Sequence, residues 1–572
     1  MEIEIVDRIE KLILYKEEWQ EILNEHSNDN PFIEIDWIIS WWSYFGKQHE
    51  LFVLMIEESN SITGFCPFMA TKKMGYKELT FIGKPQAGYM DFILGDKDKG
   101  EIILLVMDFL FRLPGQYLYN FFGLYGEGLS YKLVKGYLQE RGVSFFIYKL
   151  SSYYQKVNMD FSSYLNKHFS RKTQNTRRKK DNRLNNLGEI RFEKLDPKKL
   201  EQIFRIHDKR WQRKVGNSEF SEGTTKMLFS DLYINTGDHS FKTTIDTLLL
   251  NDKIIAFVYG FTCRGRYIFF RIAHDDDFYL FSPGERVLKE KVKECFVENI
   301  RIFDFCAGYE PYKAIWAENI ANINSLFFHN NTFVPILIFR MNKFLVDIKE
   351  LLKSNKNIWN FRKYTLGKIK YKFSRKNILE NCKKVRKKGR LYLLSKIIGP
   401  FYRREECLIL YSKLKVSYKL TESKPPYTLA EATINDLEAI VDITTEKASS
   451  IIRRLANGHK FFWVKIEGKI ICHFWLGPNI AEIEKAKSRK DISENATVIY
   501  DIGIIHYRKL LNIIKPLLGE LMGVFYTLNY EALYVVLNKK QGKLYQCIGY
   551  KDIYLKEKII RRYYLGKCFK KI

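Results

Sequence analysis

Residues 302–316 read IFDFCAGYEPYKAIW, an apolar strand pattern that breaks at a glycine into a crowd of aromatic and charged side chains. Moving an acyl group onto an amine requires a base for the amine's proton, a donor for the developing oxyanion and an acid for the leaving group. Asp304, Tyr309, Glu310, Tyr312 and Lys313 bring those types together at a strand end, where such a site would open. Glu310 or Asp304 is the candidate base and Tyr309 the candidate proton donor. A structural reading stands beside this one: Asp304 pairs with Lys313 and Trp316 caps a core, because ion pairs also collect at strand ends.

Upstream, residues 281–297 read FSPGERVLKEKVKECFV. The first amides of a helix lack internal partners and carry a partial positive charge, so an anion can rest there with few side chains. Pro283 and Gly284 let a ligand approach the backbone closely. Ser282, Pro283, Gly284 and Glu285 are therefore the candidate cradle for the phosphate of an anionic ligand. Ser-Pro-Gly is equally an ordinary start signal for a helix. His207, Arg210 and Trp211 fall at i, i+3 and i+4 of a helical pattern and share a face, where an arginine beside a ring suits a sugar nucleotide or a carboxylate. Core packing competes for Trp211, and a satisfied helix position for His207. Asp91 either bonds a sugar hydroxyl or ends a strand.

The elements that must hold these residues follow from periodicity. Up to about residue 150 the pattern gives a helix over 34–45, strands over 50–58, 61–71 and 77–83, then a helix and a strand VSFFIYKL. Helices packed on a mostly antiparallel sheet fit that order. From 151 to 345 it restarts: a polar helix, strand EIRFEKL, the helix over 196–214, a hairpin turning at Asn251-Asp252-Lys253, strand RYIFFRIA, the Ser-Pro-Gly helix, strand FDF and a last strand near FVPILIFR. From 406 an N-capped helix, a hairpin turning at Glu467-Gly468-Lys469, strand VIYDIGI and a strand, helix and strand over 532–553 repeat the grammar.

With 572 residues the chain should hold more than one core, about three, since a single core stops growing near roughly 250 to 300 residues. A composition of 46% hydrophobic and 28% charged residues excludes a disordered or collagen-like chain. Nine scattered cysteines without a C-x-x-C pair read as reduced thiols, with neither a disulfide frame nor a metal site. No apolar run approaches the roughly 18 residues of a membrane span, and the N-terminus lacks a signal layout, so the expectation is a cytoplasmic protein, soluble or peripheral at the membrane's inner face.

Several motifs together carry a resemblance: PFIEIDWIISWWSYFG near the start, MDF at 90–92, FSRKTQNTRRKKDNRL, HDKRW at 207–211, and SPG followed by FDFCAGYEPYKAIW. Residues 1–345 resemble the CelD-like branch of the GNAT acyltransferases, a branch similar to the FemAB peptidyltransferases and built of two GNAT-type halves. The resemblance implies an α+β fold of tandem mixed, mostly antiparallel sheets flanked by helices, with halves at 1–150 and 151–345, the second being the active one. It implies acyl-CoA, such as acetyl-CoA, as co-substrate without a metal. It also implies an N-acyltransferase acting on an amino sugar, nucleotide sugar or aminoacyl acceptor in cell-envelope or exopolysaccharide synthesis. Lys313, a lysine after an aromatic residue as in FemAB-like proteins, becomes the stabiliser of the anionic intermediate. Residues 406–572 resemble a single GNAT domain through Asn538, Tyr545 and Gly549-Tyr550. That module departs from the family in having no glycine between Gly503 and Gly519, where the coenzyme loop would lie.

The net charge of +28 attracts anions, and its distribution is uneven: residues 340–404 hold 21 Lys or Arg against 3 acids. This linker, 346–405, alternates cations with aromatics, which fits an anionic membrane surface or a nucleic acid, beside the plainer reading of a solvated connector. The helix at 169–184 carries seven Lys or Arg and one Asp. It offers a place for tRNA, the donor that FemAB-like relatives use, though 151–195 leaves no room for the long helical arm of some of them. Two alternatives to the acyl-CoA enzyme thus remain: an aminoacyl-tRNA-dependent transferase, and a non-catalytic scaffold docked on an anionic surface.

Overall fold

The computed structural model describes residues 1–25, 28–95, 98–216, 218–308, 310–354, 402–414, 425–444, 446–477, 496–538, 554–564 and 567–571. They form two compact units. The first comprises Met1–Arg178, Ile190–Asp275 and Ser282–Lys372; the second comprises Lys179–Glu189, Asp276–Phe281 and Phe373–Ile572.

In the first unit the strands are β1 (Glu2–Val6), β2 (Glu50–Glu58), β3 (Ser61–Lys73), β4 (Tyr76–Phe81), β5 (Ile93–Leu94), β6 (Tyr117–Tyr125) and β7 (Phe145–Lys156). They continue as β8 (Ile190–Lys194), β9 (Lys242–Leu250), β10 (Lys253–Cys263), β11 (Arg266–His274), β12 (Ile302–Ala307) and β13 (Asn319–His329). One sheet runs β1-β2-β3-β4-β6-β13-β7-β12-β11-β10-β9-β8, with β5 on β3. The boundary expected at 150 falls inside β7. Because β13 enters between β6 and β7, the two halves share a sheet and one large core, which is why the expected three cores become two units.

Strands β9 and β10 are buried along nearly their whole length; β10 reads as a nearly continuous apolar run, as a strand covered on both faces should, while β9 buries Thr243, Thr244, Asp246 and Thr247 among its apolar residues. Asn251, at φ 53°, makes the tight turn between them, a conformation Asn tolerates better than most side chains. The helix Pro283–Val297 packs on β9, β10 and β11 through Val287, Leu288, Val292 and Cys295. One expected strand is absent: FVPILIFR opens the helix Phe333–Ser354, and the last strand is the preceding β13. Pro335 costs nothing there, because the first turn of a helix has amides without internal partners. Phe339 and Val346 then turn inward at helical spacing, onto Leu118 and Phe146.

The second unit holds β14 (Tyr402–Lys413), β15 (Thr428–Ala432), β16 (Lys460–Ile466), β17 (Lys469–Gly477), β18 (Ala496–Ile504), β19 (Ala532–Asn538), β20 (Tyr554–Tyr564) and β21 (Lys567–Lys571). Its order β15-β16-β17-β18-β19-β14-β20 repeats β8-β9-β10-β11-β12-β7-β13 strand for strand. In each, a parallel pair is bridged by a helix, Pro283–Val297 between β11 and β12 and Tyr507–Thr527 between β18 and β19. The fold is thus α+β, of repeated mixed-sheet modules. Tyr507–Thr527 is long and apolar enough to cross a membrane by length and composition, which the sequence reading missed; its Leu510, Ile513, Leu517 and Leu521 are buried in the unit's own core. The motif residues Tyr545, Gly549 and Tyr550, and the linker aromatics, lie outside the described residues.

Candidate active site

Strands β11 and β12 pair in parallel for only three residues, Arg266↔Ile302 to Ile268↔Asp304, and then part. Beyond the parting point lies a cavity of about 400 Å³. Phe269, Phe270, Arg271 and Ile272 of β11 form one wall, Cys306, Ala307, Gly308, Glu310, Tyr312 and Lys313 another, and His207, Trp211, Ser218 and Glu219 a third. Its place follows from the register: parted parallel strands leave a gap that no ladder bond closes, and loop and helix residues fill its rim.

Lys313 is 7% exposed, and its Nζ donates to the Cys306 carbonyl at 3.1 Å. Cys306 stands at φ 60°, unusual for a residue with a side chain. Its amide donates to Asp304 Oδ1 at 2.8 Å, so the irregular end of β12 is tied down on both sides of the thiol. Burial pulls the Lys313 pKa below its usual 10.5, Cys306 and Glu310 oppose that shift, and Arg271 reinforces it. Tyr312 is held well above the ordinary phenol value by burial and by its hydrogen bond to Glu310, so it stays protonated.

On the opposite wall Arg271 grips Glu219 with two guanidinium nitrogens, Nη2 donating to Oε2 at 2.8 Å, while its guanidinium carbon sits 3.8 Å from the Phe270 ring centroid. Burial alone would raise the Glu219 pKa; the adjoining guanidinium outweighs it and holds the carboxyl below its usual value. His207 is pushed down to about 3, chiefly by burial, and is neutral at ordinary pH. Ser218 Oγ donates to Asp208 Oδ1 at 2.5 Å, so its 2.9 Å contact with His207 Nδ1 has the ring as donor. The Nε2 lone pair of His207 is then the acceptor. Trp211 Nε1, a buried donor, has no hydrogen-bond partner among the described residues.

Of the residues expected from the sequence, Lys313, Glu310, His207 and Trp211 meet in this cavity, and Tyr309 lies outside the described residues. Asp304 does not reach it. Its carboxylate accepts from Tyr89 Oη at 2.8 Å, Ser152 Oγ at 3.1 Å, Arg266 Nη1 at 2.8 Å and the Cys306 amide. With both oxygens engaged and a guanidinium beside it, this carboxylate braces β12. The expected ion pair between Asp304 and Lys313 is likewise replaced by the Cys306 carbonyl.

Ser282, Pro283, Gly284 and Glu285 do not line the cavity. Pro283 and Gly284 are buried, a Cβ on Gly284 would stand 2.7 Å from His274 Nδ1, and Glu285 is held by Arg177, whose Nε donates at 2.8 Å. Protein thus covers much of this turn. Arg210 does not line the cavity: it donates to His274 Nε2 at 2.6 Å, beside the turn, while its charge still acts on His207 and Tyr312. Asp91 lies in a separate cavity of about 160 Å³ with Asn28, Lys99 and Ser130. Arg271 and Glu219 escaped the sequence reading. The available signal was an arginine in the middle of RYIFFRIA, an apolar strand, since a charge there needs a buried partner.

Residues 171–314 match the family described as acetyltransferase (GNAT) domain. The match spans β8 to β12 and the residues from His207 to Lys313, and on it the chain is an acyltransferase. No curated protein matches the chain. Among solved structures, FemX is similar at 11% identity over 57% of this chain and 97% of its own, with a TM-score of 0.40. A conserved protein of unknown function from Bacteroides thetaiotaomicron is similar at 13% identity over 57% and 99%, TM-score 0.38. A GNAT-family acetyltransferase from Colwellia psychrerythraea is similar at 11% identity over 57% and 99%, TM-score 0.31.

Proposed function

We propose that the gap between β11 and β12 transfers an acyl group from an acyl-CoA, acetyl-CoA being the simplest, to an amine of an amino sugar, nucleotide sugar or aminoacyl acceptor in cell-envelope or exopolysaccharide synthesis. One observation carries the reading: Lys313, Glu310 and Tyr312 share a cavity with the unpartnered Trp211 donor. The acceptor's amine forms the new N–C bond as Glu310 takes its proton. Charge develops on the carbonyl oxygen beside Lys313, whose ammonium is already held in place by Cys306, so little reorganisation is needed. When the C–S bond breaks, Tyr312 protonates the thiolate and recovers its proton from Glu310, to which it is hydrogen-bonded. Trp211 Nε1 is free to bond an acceptor oxygen.

A second reading keeps the same transfer but takes the donor from aminoacyl-tRNA. Arg171, Lys172 and Arg178 are exposed and available to a phosphate backbone. Thermal melting separates the two. Coenzyme A raising the melting temperature supports the first, charged tRNA alone doing so supports the second, and neither doing so removes both.

A further inference from the structure

We propose that the helix Phe333–Ser354 docks the chain on an anionic lipid bilayer, lying in the plane of the headgroups with its outer apolar stripe inserted. Six of its large apolar side chains face solvent: Phe333 at 80%, Leu337 at 59%, Met341 at 52%, Phe344 at 64%, and Leu345 and Ile348 at 46% and 39%. At 100° per residue these positions fall within about 120° of arc, a single stripe along the helix. The opposite face is already used, since Phe339 packs with Leu118 and Phe146. The helix is therefore apolar on two sides, and only one of them is satisfied by its own unit. An exposed stripe of this kind marks an interaction surface, because a soluble helix gains nothing by showing six large apolar groups to water.

Charge selects the occupant. The helix carries Arg340, Lys343, Lys349 and Lys353 against Asp347 and Glu350, and by sequence residues 340–404 hold 21 basic residues against 3 acids. A second copy laid on the stripe would bring two such cationic segments together and be repelled. An anionic lipid surface attracts them, and apolar side chains flanked by Lys and Arg are the pattern of helices that rest in the headgroup layer. With 22 residues the helix extends about 33 Å at 1.5 Å per residue, but its charged positions bar it from spanning the bilayer.

Flotation of the full chain tests this without donor or acceptor, so its outcome is independent of the transfer chemistry. Vesicles of phosphatidylcholine and phosphatidylglycerol at about three to one are expected to carry the protein upward, and pure phosphatidylcholine vesicles to leave most of it behind. The double variant Leu337→Glu, Phe344→Glu should lower partitioning on the order of tenfold or more while leaving the melting temperature unchanged, both residues being exposed. Arg340→Glu with Lys343→Glu should do the same and remove the preference for the anionic lipid. Failure of the wild type to float, equal flotation of the variants, or a wild-type dimer that the double variant turns into a monomer would each overturn the proposal.

Discussion

The same strand order is used twice in this chain, and the cavities beside its two parallel pairs have opposite linings. Between β11 and β12 the gap is lined by His207, Glu219, Arg271, Glu310 and Lys313. At β18 and β19 the register runs from Ala496↔Ala532 to Ile499↔Val535, and a space of about 40 Å³ lies between the sheet and the bridging helix, enclosed by Leu510, Ile514, Leu517, Leu518 and Leu521 against Ile499, Val535 and Leu537; the stretch after β19, where the counterpart of 306–313 would fall, lies outside the described residues. The helix beneath β18 starts at Tyr507 without a Pro-Gly turn and sends leucines into the space.

The contrast can be broken most sharply at Lys313. Replacing it with alanine removes the oxyanion donor, and turnover should fall about a hundredfold to a thousandfold, roughly 3–4 kcal/mol, in a steady-state assay. Equal turnover would return the pocket to a structural role. Because Lys313 has its pKa lowered, it loses its proton as pH rises through a value below 10.5, so the basic limb of the rate profile should lie below 10.5 and move up in Lys313→Arg. In the second unit Leu517→Ala should act only on stability, costing about 3 kcal/mol in denaturant titration, with turnover per folded molecule unaltered. A Leu517→Ala enzyme that stays stable but loses activity would place chemistry there as well.

Smaller effects sharpen the picture. Gly284→Ala drives a Cβ to within 2.7 Å of His274 Nδ1, so it should cost about 2 kcal/mol by unfolding and leave the Michaelis constant for the donor unchanged, the turn lying outside the cavity. A raised Michaelis constant for the donor would bring that turn back into the site. Asp91 has its carboxyl raised from 3.8 to about 6, chiefly by burial. The folded state therefore binds this proton more tightly than the unfolded chain, and stability falls as pH rises from near 3.8 through about 6. Asp91→Asn should thus gain about 1 kcal/mol at pH 7 and almost nothing at pH 4, read as a shift in melting temperature.

Much of this architecture was legible because periodicity and turn residues agree. Asn251 marks its hairpin, Gly468 another, and Pro283-Gly284 the helix that follows β11. FVPILIFR was misread because a run apolar on all sides satisfies period 2 and period 3.6 alike; only its packing, with one face inward and one outward, decides. The insertion of β13 between β6 and β7 is a non-local pairing that no local pattern encodes. Within the candidate site, Glu310, His207 and Trp211 were chosen from residue type and spacing and Lys313 also from the resemblance, and the four share one cavity. Asp304 was misjudged because nothing in FDF reveals that Tyr89, Ser152 and Arg266 converge on it from distant segments.

Photo-crosslinking with a diazirine-bearing acyl-CoA analogue, followed by peptide mapping, addresses the assignment of chemistry to one gap and packing to the other. The account predicts label on the peptides containing Trp211 and residues 306–313, competed away by coenzyme A. Label confined to the peptide spanning Leu510 to Leu521, with none at Lys313 or Trp211, would contradict it.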